Sequence, residues 1–276
     1  MSASSDSAPC AKGAAFCPHF GTCGGCSIQD RPYPEQLRLK TDQVVSVLSF
    51  IKDLPQPQVH ASPDIRYYRN KMEFSFGDVY PPAPDGPTVK LGLKPKGRWY
   101  EVLDLKECFL LSQETPGLLA GVRAWAESNQ VPPYNSHKRQ GLLRHLVLRE
   151  SKNAAERMVI LVANPGELPA ESFLAEALKT YPASTVLRGT NDKLSDTAVS
   201  GRFEVLLGPG HITESLRFTD RELRFRISPH SFFQTNTKAA NLLYGRVRDW
   251  VAEEKAQTVL DLYCGGGGIT LSLADL

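Results

Sequence analysis

Thr258-Val259-Leu260-Asp261-Leu262-Tyr263-Cys264-Gly265-Gly266-Gly267-Gly268 runs from a short apolar stretch straight into four glycines. A buried strand, a glycine turn and a helix beginning at Ile269 form the opening unit of a nucleotide-binding α/β domain. Glycines suit that turn because a ligand must come closer to the backbone than a β-carbon permits. A glycine run alone is a weak signal, since a plain tight loop yields the same letters. The acid ahead of it, Asp261, shifts the reading from a dinucleotide toward S-adenosylmethionine. A dinucleotide site has its first glycine close behind the strand and its acid about twenty residues later.

Working back from the turn, the texture changes at Ser228. Asn236 is placed to cap a helix over 237–251, with Ala239, Leu243, Val247 and Trp250 as its apolar face. Fewer than 50 residues follow Ser228, whereas a doubly wound domain takes about 100 or more. The segment 228–276 is therefore expected to be an incomplete Rossmann-like domain in a chain cut short.

Before Ser228 the pattern is β-rich. Met72, Phe74 and Phe76 alternate with polar residues, and a Pro-rich loop over 81–87 follows. Strands are expected over 89–93 and 99–105, joined by the turn Pro95-Lys96-Gly97-Arg98. Further strands are expected over 142–149, 157–163, 185–188, 203–207 and 223–227, with a helix over 174–181. Nearer the N-terminus, Leu37, Val44, Val47, Leu48 and Ile51 recur at helical spacing over 35–51, and Pro55 and Pro57 end that run.

The cysteines add a chemical signal. Cys17, Cys23 and Cys26 crowd one segment, and two glycines stand between the last pair. With one distant cysteine they would complete a four-thiolate site for zinc or for an iron–sulfur cluster, unliganded thiols being the third reading. His19 and Cys10 are substitute ligands at most, one read as a surface imidazole and the other as a tail thiol. Cys264 reads as a small buried side chain.

Composition narrows the classes. The chain has 276 residues, 41% hydrophobic and 22% charged, which is globular rather than disordered. No stretch approaches the roughly 18 apolar residues of a spanning helix. The Ser-rich tail over 1–15 lacks the basic and apolar segments of a secretory signal, so a reducing, cytoplasmic setting is expected. Lys and Arg exceed Asp and Glu by only two. Local clusters matter more: Arg66, Arg69 and Lys71 beside Tyr67 and Tyr68, and Lys138, Arg139, Arg144 and Arg149 near Tyr134. Both suit RNA phosphates, or equally a solvated charged face.

Three motifs now stand in one order: Cys17-x5-Cys23-Gly-Gly-Cys26, then Ser228-Pro229-His230-Ser231-Phe232-Phe233-Gln234-Thr235-Asn236, then Asp261-Leu262-Tyr263-Cys264-Gly265. Together they closely resemble the RNA uracil-5-methyltransferases that act on ribosomal or transfer RNA. The likeness runs from about Phe16 to Leu276 and takes in Arg69-Asn70-Lys71 and Gly141-Leu142-Leu143-Arg144-His145-Leu146. It implies a 4Fe–4S cluster on Cys17, Cys23, Cys26 and Cys108, although Phe109 stands where the family commonly has proline. It also implies S-adenosylmethionine at Gln234, Tyr263, Gly265 and Gly268, and Phe232 close to the target base, against core packing as the plainer role of Phe232 and Phe233.

RNA contacts are expected at Arg69, Lys71 and Arg144, with 23S ribosomal RNA favoured over transfer RNA and no membrane or obligate protein partner. The family's catalytic cysteine, general base and Asp-Pro-Pro motif lie downstream of the glycine turn. None occurs here, so the chain alone is expected to be inactive. The competing reading is a non-catalytic iron–sulfur or zinc RNA-binding module.

The expected fold class is α/β with α+β. A cysteine knuckle over 16–30 leads into a mixed β-rich central domain over 31–227, and the start of a methyltransferase domain follows.

Overall fold

Alternation at Met72, Phe74 and Phe76 builds β1 (Lys71–Asp78), with those three side chains buried and Glu73 outside. The computed structural model describes residues 16–79, 88–135, 138–194, 197–198, 201–219 and 221–276. The tail over 1–15, with Cys10, and the Pro-rich loop over 81–87 lie outside them. β1 pairs antiparallel with β2 (Val89–Leu93) on one side and β4 (Leu143–Glu150) on the other, and β3 (Leu103–Asp104) extends the sheet beyond β2. Beyond β4 come β5 (Arg157–Ala163), β6 (Thr185–Thr190) and β7 (Arg202–Leu207), giving the order β3-β2-β1-β4-β5-β6-β7. Only β5–β6 is parallel. A parallel pair needs a crossover, and α3 (Ala170–Thr180) supplies it.

The sheet is covered on both faces, so its central strand β4 is buried along its whole length. On one side α2 (Thr115–Ser128) and α3 pack Leu118, Leu119, Val122, Trp125 and Phe173 against Phe74, Leu91, Leu146 and Leu161. On the other lies a hairpin of β8 (Ile212–Arg217) and β9 (Glu222–Ile227). Its Ile212, Leu216, Phe225 and Ile227 meet Val147, Ile160 and Val162, joined by Ala240 and Tyr244 of α4 (Thr237–Glu253). The protein is a mixed α/β structure.

Several expectations change. The strand foreseen over 99–105 shrinks to Leu103–Asp104, because Arg98 and Glu101 close a turn through a backbone bond of 3.2 Å and an ion pair of 2.8 Å. Residues 258–263 form no strand. Leu260 and Leu262 are 81% and 77% exposed, and no described strand lies alongside to pair their backbone groups. The first helix, α1 (Tyr33–Val47), stops before Ile51 and buries none of its residues. The 237–251 helix forms as α4 with Asn236 capping it, its Oδ1 accepting from the Ala239 N–H at 3.0 Å. Its buried face, however, is Ala240, Tyr244 and Arg248, while Leu243 and Trp250 are exposed. The short helix α5 (Gly268–Leu273) explains the rotation: Arg248 donates to the Ser272 carbonyl and pairs with Asp275.

Candidate active site and cysteine pocket

The segment 16–30 folds as a knuckle held by the sheet. Gly24 N–H donates to the Lys94 carbonyl at 3.1 Å, and Cys23 bridges Pro95 at the β2–β3 turn. A β-carbon on Gly24 would sit 2.7 Å from that same carbonyl oxygen, so glycine is required by close approach. Lys106 N–H donates to His19 Nε2 at 3.0 Å, which ties the knuckle to the loop bearing Cys108. Gln29 spans the knuckle, its Oε1 accepting from Cys17 N–H at 3.1 Å and its amide facing Cys26 Sγ at 3.9 Å.

Cys17, Cys23, Cys26 and Cys108 then line one pocket, walled by Phe20, Leu93, Leu105 and Leu110. Burial pushes the Cys108 thiol up to about 11, and the neighbouring cysteines push the same way. Burial also raises Cys23 and Cys26. Among the described residues no group of three or more His, Cys, Asp or Glu is arranged to hold a metal ion. Phe109, in the pocket lining, meets Phe16 edge-on at 4.9 Å, and Arg66 lies 4.3 Å from the Phe16 ring.

The second centre is the loop Ser228–Asn236. Asn70, just before β1, donates through Nδ2 to the Gln234 carbonyl at 2.7 Å and to Thr237 Oγ1 at 2.8 Å. Its own N–H reaches the Thr235 carbonyl at 2.8 Å. From the end of β4, Arg149 Nη2 donates to the carbonyls of Pro229 and Ser231 at 3.0 and 2.7 Å. Burial pushes that guanidinium down to about 10, with the charge of Glu73 opposing the shift.

Beneath the loop, Glu214 is buried and its carboxylate accepts from five donors. These are Ser151 Oγ, Thr237 Oγ1 and the N–H groups of Lys152, Asn153 and Ser215, at 2.8–3.2 Å. A charge with that many donors welds the β4–β5 turn, β8 and the start of α4 into one unit.

So anchored, the loop projects Phe232, 72% exposed, into a cavity of about 210 Å³ shared with Lys71, Arg149, Phe203 and His230. Phe203 and His230 meet edge-on at 4.8 Å. Phe233 instead packs inward, 5.4 Å from Phe225. The glycine turn lies next to the loop: a β-carbon on Gly266 would meet the Phe232 carbonyl at 3.4 Å. Gly268 begins α5 against the Tyr244 ring, and Gly265 takes φ +56°. Tyr263 is fully exposed with φ +64°, a backbone state that is costly for a bulky residue and concentrates at functional sites. Gln234 is exposed too. Cys264, expected to be buried, is exposed.

The basic residues divide. Arg69 and Lys71 border the loop, Lys71 pairing with Glu73 at 2.5 Å. Arg144 is only 3% exposed. It donates to Asn164 Oδ1 and the Lys193 carbonyl at 2.6 Å each, and its guanidinium stacks 4.0 Å over Tyr134. Its burial follows from β4 being covered on both faces.

Comparison with known proteins draws these centres together. A family model described as tRNA (uracil-5-)-methyltransferase matches residues 187–276, the span holding both loop and glycine turn. An uncharacterized RNA methyltransferase of Clostridium tetani is 37% identical over 265 residues, covering 92% of this chain and 56% of that protein. One from Nanoarchaeum equitans is 30% identical, covering 94% and 54%. Over these spans the chain is similar to the RNA (uracil-5-)-methyltransferases.

It spans a little over half the length of the curated relatives it matches. A crystal structure of the Pyrococcus abyssi tRNA (uracil-54, C5)-methyltransferase, in complex with S-adenosyl-L-homocysteine, superposes with a TM-score of 0.71. It is 27% identical, and the match covers 93% of this chain and 57% of that one. Sequence reasoning missed Asn70 as a clamp and Glu214 altogether. Asn70 lay inside a quoted motif, whereas nothing local distinguishes Glu214 from a surface glutamate. No helix among the described residues is long and apolar enough to cross a membrane.

Proposed function

We propose that this chain supplies the cofactor-entry and RNA-facing part of a cytoplasmic enzyme that methylates carbon 5 of a uridine in ribosomal or transfer RNA, using S-adenosylmethionine. The observation that carries this reading is the Ser228–Asn236 loop, clamped by Asn70 and Arg149 and presenting Phe232 beside the glycine turn. The cofactor, when bound, supplies an electrophilic methyl group. Gln234, Tyr263, Gly265 and Gly268 hold it. Phe232 offers a face to the uracil once the base leaves its stack, and Arg69 and Lys71 hold flanking phosphates. The nucleophilic cysteine and the base that the family resemblance implies belong downstream of the glycine turn, so the residues here bind and orient.

Cys17, Cys23, Cys26 and Cys108 are the ligands we assign to a 4Fe–4S cluster. The donor chemistry suits it: four thiols share one apolar pocket, and thiolates are the ligands such a cluster takes. The cluster would bind the knuckle to the Cys108 loop and so fix the floor beside Arg69.

Titration calorimetry with S-adenosyl-L-homocysteine tests the cofactor half. Gly265→Val and Tyr263→Ala should each weaken binding at least about tenfold, a loss of about 1.4 kcal/mol. Wild-type affinity in both variants would remove the turn from the cofactor site. Anaerobically purified protein should carry about four irons and four sulfides per chain, and Cys108→Ser should lose them.

A further inference from the structure

A cavity of about 450 Å³ opens between the knuckle and β1. Its volume is within the ~300–1,000 Å³ of small-ligand sites. The floor is apolar, formed by Met72, Leu93 and Leu110, and the rim carries the cations Arg69, Lys71 and Lys94. The single carboxylate in the wall, Glu73, pairs with Lys71, so the cavity keeps a positive excess. Arg69 Nε is buried without a hydrogen-bond partner. A buried donor left unpaired calls for an explanation, which an anionic ligand would provide.

Lys71, Glu73 and Thr235 line this cavity and also the Phe232 cavity. The two are therefore neighbours across the Lys71–Glu73 pair, on one groove along the outer side of β1. An apolar floor with a cationic rim suits a nucleobase with its phosphate. An isolated anion would leave the floor unused. We propose that the cavity beside Gly24 and Gly25 is a second nucleotide pocket, which takes a single-stranded RNA residue near the one presented to Phe232.

The proposal rests on the RNA-methyltransferase reading above, and the test separates the two. Oligouridylate carrying 4-thiouridine is photo-crosslinked to the whole chain, and the adducts are mapped by mass spectrometry. Two groups are expected, one on 229–233 and one on the peptides holding Met72, Leu93 or Leu110. Arg69→Gln should lower the second group at least fivefold relative to the first within the same sample. Adducts on 229–233 alone, or an unchanged ratio, would overturn the second pocket and leave the proposed function standing. Adducts on neither would overturn both.

Discussion

Two turns in this molecule are built on consecutive glycines, and their surroundings differ sharply. Gly24 and Gly25 lie in a knuckle gripped by the β2–β3 turn, by Lys106 and by the Cys108 loop. Around Gly265–Gly268 a β-carbon would meet only the Tyr263 and Phe232 carbonyls, Leu271 and the Tyr244 ring, and the segment leading into them turns Leu260 and Leu262 outward. Glycine permits both backbones, but neighbours decide which becomes rigid. Side-chain polarity tracks the same contrast. Close to the sheet Glu214 and Arg144 each have several partners, whereas the C-terminal segment leans on the Arg248–Asp275 pair and on Asp261, which accepts from Thr270 at 2.6 Å.

The contrast can be broken by substitution. The largest effect should come from Glu214→Ala, which strands five donors beneath the Ser228–Asn236 loop. A loss on the order of 3–5 kcal/mol is expected, read as a lower urea midpoint, with faster amide exchange over 228–240. Near-wild-type stability would show that the loop is not held from below.

Arg144→Ala comes next, at about 2–3 kcal/mol, because a buried guanidinium with two carbonyl-type acceptors and a stacked tyrosine is removed. Its salt dependence of RNA binding should match wild type. A slope shallower by about one would return Arg144 to the phosphate-binding surface. The smallest effect is expected from Leu260→Ser on the loose side, within about 0.5 kcal/mol. A loss comparable to a core truncation, about 2 kcal/mol or more, would mean that this stretch packs as firmly as the knuckle does.

How far the sequence could be read depended on the range of the physics involved. Period-two alternation made β1 legible, and a side-chain oxygen three residues ahead of Ala239 made the cap of α4 legible, since both are local. The helical spacing of Leu243, Val247 and Trp250 was equally local, yet it marked the wrong face. Tyr244 and Arg248 found partners on α5, and hydrogen bonding there outweighed the apolar stripe. Arg144 failed as a surface cation for a related reason: a basic residue reads as exposed unless the strand that carries it is known to be covered on both sides.

By itself the sequence determined the cysteine grouping, the Ser228–Asn236 motif, the glycine turn and the mixed α/β class, because spacing and residue chemistry are written along the chain. Only the tertiary structure put Cys108 in one pocket with the three N-terminal cysteines, a grouping the resemblance had implied, and made Asn70 and Arg149 clamp the loop. It alone made Glu214 a buried node and set a cationic cavity next to Phe232. Those facts join residues as far as 167 positions apart. Burial and partner geometry over such separations arise when strands pair, and no local pattern encodes them.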